Sequence, residues 1–82
     1  MTVHIQIYTR KDCCLCDEMK AAVREVAGGI SLGVEEIDVD STAELMERYG
    51  SEVPVLFVNG RKAFKHRVTA AELKKRLTRE SL

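Results

Sequence analysis

Three thiols stand within four residues, at Cys13-Cys14-Leu15-Cys16. Cys13 and Cys16 are spaced to close a small disulfide, or to supply half of a metal site. Their position narrows the choice. They follow an alternating run, Val3-His4-Ile5-Gln6-Ile7-Tyr8, and open a stretch with helical spacing. A thiol at a helix start faces unpaired backbone N–H groups and the positive end of the helix dipole, which favour its anion. The thiolate is the species that attacks a disulfide. Cys13 is therefore the candidate nucleophile. Cys16, about one turn along, is the candidate resolving thiol that would release a substrate bound to Cys13. Arg10 and Lys11 would stabilise the Cys13 anion and Asp12 would oppose it; such helix-start sites bring cysteine pKa values to about 3.5–7.5. Cys14 is read as a non-catalytic thiol facing outward, because a bond to its neighbour Cys13 would close a strained small ring.

Other uses of the same thiols stay open at this point. A closed zinc site wants four ligands, and the third thiol is too near in sequence to supply the other half easily, while His4 and His66 stand alone. Copper carriers also place Cys-x-x-Cys after a first strand, and an iron–sulfur role or a redox-inactive binding module would use the same residues.

The elements that must position this pair can be read from periodicity. Val3 to Tyr8 alternates as a strand. Leu15, Met19, Ala22, Val23 and Val26 recur at helical spacing from Cys13 to about Ala27, with Asp12 as the expected N-cap and Gly28-Gly29 as the stop. Leu32 to Val39 is a second strand. Ser41 with Glu44 has the form of a capping box opening a helix through Leu45, Met46 and Tyr49 to Gly50. Val53 to Val58 is an apolar strand, Asn59-Gly60 a type I′ turn, and Arg61 to Lys65 the returning strand. Thr69 with Glu72 is a second capping box, before a last helix through Leu73 and Leu77. The order is β-α-β-α-β-β-α. Short loops around the first crossover helix require parallel strands, and the Asn-Gly hairpin adds an antiparallel pair. The expected class is α/β, a four-stranded mixed sheet with helices on both faces, in one domain over residues 1–82.

Composition narrows the partners. Thirteen Lys and Arg balance thirteen Asp and Glu, so there is no electrostatic case for nucleic acid or an acidic membrane surface. Trp is absent and aromatics are few, which removes stacking platforms for single strands. No leader pattern and no apolar stretch of bilayer-spanning length is read. Clustered cysteines fit chemistry in a reducing compartment better than a secreted scaffold. A cytoplasmic monomer is the expectation.

Pro54, the only proline, opens the most apolar strand, where it removes a ladder N–H. With Ile7-Tyr8-Thr9-Arg10-Lys11-Asp12-Cys13-Cys14-Leu15-Cys16 ahead of it and Glu52-Val53-Pro54-Val55-Leu56-Phe57-Val58-Asn59-Gly60 around it, the chain resembles the glutaredoxin branch of the thioredoxin superfamily over nearly its whole length. The resemblance implies the thioredoxin fold and thiol–disulfide exchange through Cys13 and Cys16. It also implies a cis Val53–Pro54 bond beside the reactive thiol, with the Val53 backbone free to pair with a substrate main chain. Arg10 would contact a substrate carboxylate or the thiolate. The Gly-Gly pair and acid that glutaredoxins use for the γ-glutamyl end of glutathione are replaced by Phe64-Lys65-His66-Arg67-Val68-Thr69, where Thr69 and the helix start behind it would bind a carboxylate. The implied substrate is a disulfide-bearing protein or a glutathione mixed disulfide. The reductant is either glutathione or a thioredoxin-reductase-type enzyme. No bound cofactor and no metal is expected.

Overall fold

A computed structural model describes residues 3–11, 13–29 and 31–80. Strand β1 (Val3–Thr9) leads to helix α1 (Cys14–Ala27), strand β2 (Leu32–Asp38) and a single 3₁₀ turn over Val39–Ser41. Helix α2 (Ala43–Tyr49), the hairpin of β3 (Val55–Val58) and β4 (Arg61–Lys65), and helix α3 (Ala70–Glu80) complete the order. The four strands form one sheet in the order β2-β1-β3-β4. β1 runs parallel to β2, with Val3 opposite Leu32 and Thr9 opposite Asp38. It runs antiparallel to β3, with Ile7 opposite Leu56. The fold is the thioredoxin fold.

The alternation in β1 decides the layers. Val3, Ile5 and Ile7 point to one face, where they meet Met19, Ala22, Val23 and Val26 of α1, Leu56 and Val58 of β3, and Leu73 and Leu77 of α3. Burying a side chain of this size is worth about 1.5–3 kcal/mol, and this is the main core. The other phase carries Tyr8, which stacks on Tyr49 of α2 with ring centroids 4.6 Å apart and meets Phe57 of β3 edge-on at 5.3 Å. Three aromatic rings thus attach the short α2 to the second face.

The hairpin turn has the backbone that Asn-Gly favours, with φ +50 at Asn59 and +82 at Gly60. Asn59 is also stitched to β1: its N–H donates to the His4 carbonyl at 2.8 Å, and its Oδ1 accepts from the His4 N–H at 3.0 Å.

Several local readings are corrected. Cys13, not Asp12, is the N-cap of α1, and Asp12 lies outside the described residues. Thr42, not Ser41, caps α2, accepting from the Leu45 N–H at 3.1 Å. The reason is a competing turn: the Ser41 hydroxyl donates to the Asp38 carbonyl at 2.6 Å, closing the 3₁₀ segment. That segment also takes Val39 out of β2 and buries it completely. Val34 belongs to the edge strand and is half exposed. β3 begins at Val55, so Val53 and Pro54 form the approach to the strand.

Candidate active site

The C-terminal ends of β1 and β4, the N-terminal end of β3 and the N-terminus of α1 meet at one end of the sheet. Cys13 is half-buried there with extended backbone (φ −108, ψ +107), and its Sγ accepts the Cys16 backbone N–H at 3.2 Å. A sulfur in the N-cap position takes up one of the four donors that a helix start leaves unpaired. Negative charge developed on Cys13 would meet that N–H and the dipole end. Cys14 is exposed as the first residue of α1. Cys16 is buried, with 1% of its surface accessible. Burial, helped by the hydrogen bond with Cys13, pushes its thiol up to about 12, while the Arg10 backbone N–H and the Lys20 charge pull the other way. All three are free thiols, and the pair is asymmetric: one sulfur at the surface, the other sealed beneath it.

The Val53–Pro54 peptide is cis. Pro54 is buried, and its carbonyl accepts the His66 N–H at 2.8 Å, which ties the end of β4 to the proline. The Val53 backbone is only half free, a correction to the expectation. Its N–H, like that of Glu52, donates to the Tyr49 carbonyl (3.1 and 2.9 Å), because the end of α2 needs donors for its last carbonyls. The Val53 carbonyl is what remains for a substrate main chain. Glu52 beside it bonds Lys62 at 3.1 Å and lies 3.6 Å from Lys65. The Lys62 hydrogen bond, then its charge, holds the Glu52 carboxyl below the usual range.

Arg10 turns to other partners: its Nε lies 3.2 Å from Asp40 Oδ2, and Nη1 donates to the Gly50 carbonyl at 3.4 Å. Its side chain staples the end of β1 to the 3₁₀ turn and to the C-cap of α2. Thr69 is also engaged. Its hydroxyl accepts the Glu72 N–H at 3.1 Å and donates to Glu72 Oε1 at 2.9 Å, while Oε1 lies 3.3 Å from the Thr69 N–H. The reciprocal capping box therefore places the chain's own carboxylate at the start of α3. An open cleft of about 270 Å³ beside it is lined by Glu18, Arg67, Val68, Thr69 and Glu72.

Two features of this end were not read from the sequence. His66 has φ +68, the left-handed region that a non-glycine residue seldom adopts. The Arg67 N–H donates to the Lys65 carbonyl at 2.8 Å across it, closing a three-residue turn. A basic triplet gives no signal of such a turn. The other feature is a polar cluster one turn along α1 from Cys16. Lys20 Nζ lies 2.7 Å from Glu36 Oε1, and the buried Thr9 donates its hydroxyl to the same oxygen at 3.5 Å. The spacing of Cys16 and Lys20 on one helix was visible in the sequence; Glu36 required the register of β2. Among the described residues, no group of three or more His, Cys, Asp or Glu side chains is placed to hold a metal ion. No helix among them is long and apolar enough to cross a membrane.

Comparison with known proteins bears on this arrangement. The profile of the glutaredoxin-like domain (DUF836) matches residues 4–78. The glutaredoxin-like protein YDR286C homolog of Dictyostelium discoideum is 30% identical over 78 residues, which span 88% of this chain and 72% of that protein. Among solved structures, protein XcR50 of X. campestris superposes with a TM-score of 0.78 at 30% identity, over 92% of this chain and 96% of the other. The oxidised thioredoxin of Plasmodium falciparum shares the fold, with a TM-score of 0.67 at 18% identity over 98% and 82% of the two chains.

Proposed function

The chain belongs to the glutaredoxin-like domain family, and from that premise we propose that it is a thiol–disulfide oxidoreductase with Cys13 as nucleophile and Cys16 as resolving thiol. The observation that carries the reading is the asymmetry of the pair. Cys13 is reachable at a helix start, with the Cys16 N–H already directed at its sulfur, and Cys16 is buried one turn behind it.

In this reading the Cys13 thiolate attacks one sulfur of a substrate disulfide. A Cys13–substrate bond forms, the substrate disulfide breaks, and the departing sulfur leaves as a thiolate. Cys16 then attacks Cys13 Sγ, forming the Cys13–Cys16 disulfide and releasing the second substrate thiol. The substrate gains two electrons and the protein loses two. An external thiol restores the pair, either glutathione or a thioredoxin-reductase-type enzyme. The substrate is a disulfide-bearing protein or a glutathione mixed disulfide. Its main chain would lie along the Val53 carbonyl beside Pro54, with Thr69 at the far wall and Arg10 shaping the loop behind.

Trapping tests this. Cys16→Ser should accumulate a mixed disulfide between Cys13 and substrate, visible as a mass increase that a reductant removes. Cys13→Ser should lose turnover; full reductase activity in that variant would refute the assignment. Running the wild type with glutathione and its reductase, and separately with thioredoxin reductase, identifies the electron donor.

A further inference from the structure

The proposed cycle needs Cys16 as an anion at the resolving step, yet the fold buries it. Its burial disfavours the ionised form, so little of the Cys16 anion is present at neutral pH. Bonding of Cys13 to a substrate sulfur removes the Cys13 contribution but leaves the burial. The resolving step therefore needs a stabilising charge.

Building on the oxidoreductase reading, we propose that the Lys20 ammonium stabilises the Cys16 thiolate during resolution, and that Glu36 and Thr9 are positioning residues that hold Lys20 in place. Cys16 and Lys20 are four residues apart on α1, on successive turns of one face. An exposed lysine would be mobile; this one is anchored. Its side chain is 30% exposed and its Nζ lies 2.7 Å from Glu36 Oε1. The same carboxylate oxygen accepts the hydroxyl of Thr9, a residue 4% exposed at the end of β1. Ile7 and Glu36 are opposite each other across the β1–β2 ladder, so strand pairing sets the anchor's height relative to the buried sulfur.

The other polar groups around Cys16 do not substitute for Lys20. Cys13, from the same helix start, opposes ionisation, and Arg10 acts through its backbone N–H. The Arg10 guanidinium is held by Asp40 and the Gly50 carbonyl. Asp17 and Glu36 face Lys20 and keep it charged, the Glu36 hydrogen bond being the largest influence on it. Lys20 and Glu36 also line an open groove of about 240 Å³ with Ile7, Val23, Arg24 and others, so the ammonium stands at the boundary between the buried sulfur and solvent.

The step balances. The Cys16 S–H bond breaks and its proton is taken up by solvent. The Cys16–Cys13 sulfur bond forms as the Cys13–substrate bond breaks, and the electron pair leaves with the substrate sulfur, which takes up a proton from water.

The test uses the full chain with Cys14→Ser, so that only two thiols compete, and one equivalent of 5,5′-dithiobis(2-nitrobenzoate). Attack by Cys13 releases a first nitrothiobenzoate, and attack by Cys16 on the resulting mixed disulfide releases a second. The ratio of the second rate to the first, taken within each variant, cancels any loss of folded protein. Lys20→Met should move the pH–rate profile of the second phase up by about one unit and lower that ratio about three- to fourfold at pH 7, the loss of thiolate being partly offset by its greater nucleophilicity. Lys20→Arg should restore most of it, and Glu36→Gln should fall between. An unchanged ratio and profile in Lys20→Met, or an arginine variant no better than methionine, overturns the proposal. A wild type that releases only the first nitrothiobenzoate instead overturns the reading of Cys16 as resolving thiol, and the role of Lys20 falls with it.

Discussion

Cys13 Sγ accepts the backbone N–H of Cys16 at 3.2 Å, so the proposed nucleophile is also the N-cap of the helix that carries its partner. Substitution separates the two roles. Serine retains a good capping oxygen, whereas alanine removes the acceptor at a cost of about 1 kcal/mol. Cys13→Ser should therefore lose disulfide reductase activity and still unfold at a higher denaturant concentration than Cys13→Ala. Equal midpoints for the two variants would show that a side-chain acceptor at position 13 does not stabilise the helix start.

Burial of Cys16 also predicts a pH dependence of stability in the reduced protein. The folded thiol is pushed up to about 12, above its ordinary value. Below about pH 9 the folded and unfolded chains both hold the proton, and the stability is intact. Above it the unfolded chain loses a proton that the folded chain keeps, so stability falls as pH rises, by at most about 1.4 kcal/mol per pH unit from this group. Urea unfolding at pH 8, 9 and 10 should show a steeper decline for the wild type than for Cys16→Ala. Parallel declines would mean that the thiol ionises as readily folded as unfolded.

His66 provides a stability test at the opposite wall. Its φ of +68 lies in the left-handed region, which costs an L-residue roughly 1–2 kcal/mol and is worst for β-branched side chains. The hydrogen bond from its N–H to the Pro54 carbonyl, and the one closing the turn across it, hold it there. His66→Val should destabilise by about 1 kcal/mol or more, and His66→Asn should be close to neutral. A valine variant as stable as wild type would mean that the turn relaxes without cost.

What was legible in the sequence was what local chemistry determines. The alternation of Val3, Ile5 and Ile7 set the core face, Asn59-Gly60 set the hairpin, and Thr69 with Glu72 set the start of α3. Where two local solutions compete, sequence reading chose wrongly. Ser41 and Thr42 are adjacent hydroxyls, and the 3₁₀ turn captured the first, leaving the second to cap α2. Contacts across strands were the least visible. Nothing local pairs Lys20 with Glu36 or turns Arg10 toward Asp40; both pairings depend on the β1–β2 register and the crossover between those strands. The partial use of the Val53 backbone was hidden for a similar reason, since it answers the needs of α2's C-terminus rather than of the proline.

Glu72 bears on which disulfides the proposed oxidoreductase would accept. Its carboxylate occupies the start of α3 and bonds the Thr69 hydroxyl, the group proposed to meet a substrate carboxylate. Glu18 adds a second acid to the same cleft, and Arg67 is its cation. An anionic substrate end, such as that of a glutathione mixed disulfide, would meet like charge where a helix start would otherwise attract it. Glu72→Gln separates charge from structure, because glutamine can complete a capping box as glutamate does. The variant should therefore keep its fold and its kcat while its KM for a glutathione mixed disulfide falls. A helix-terminal charge is worth about 0.3–1 kcal/mol, which corresponds to a roughly two- to fivefold drop. The KM for an uncharged disulfide should not move, and the gain should shrink at high salt. Equal KM values for both substrates in both proteins would show that the start of α3 plays no part in selecting the substrate.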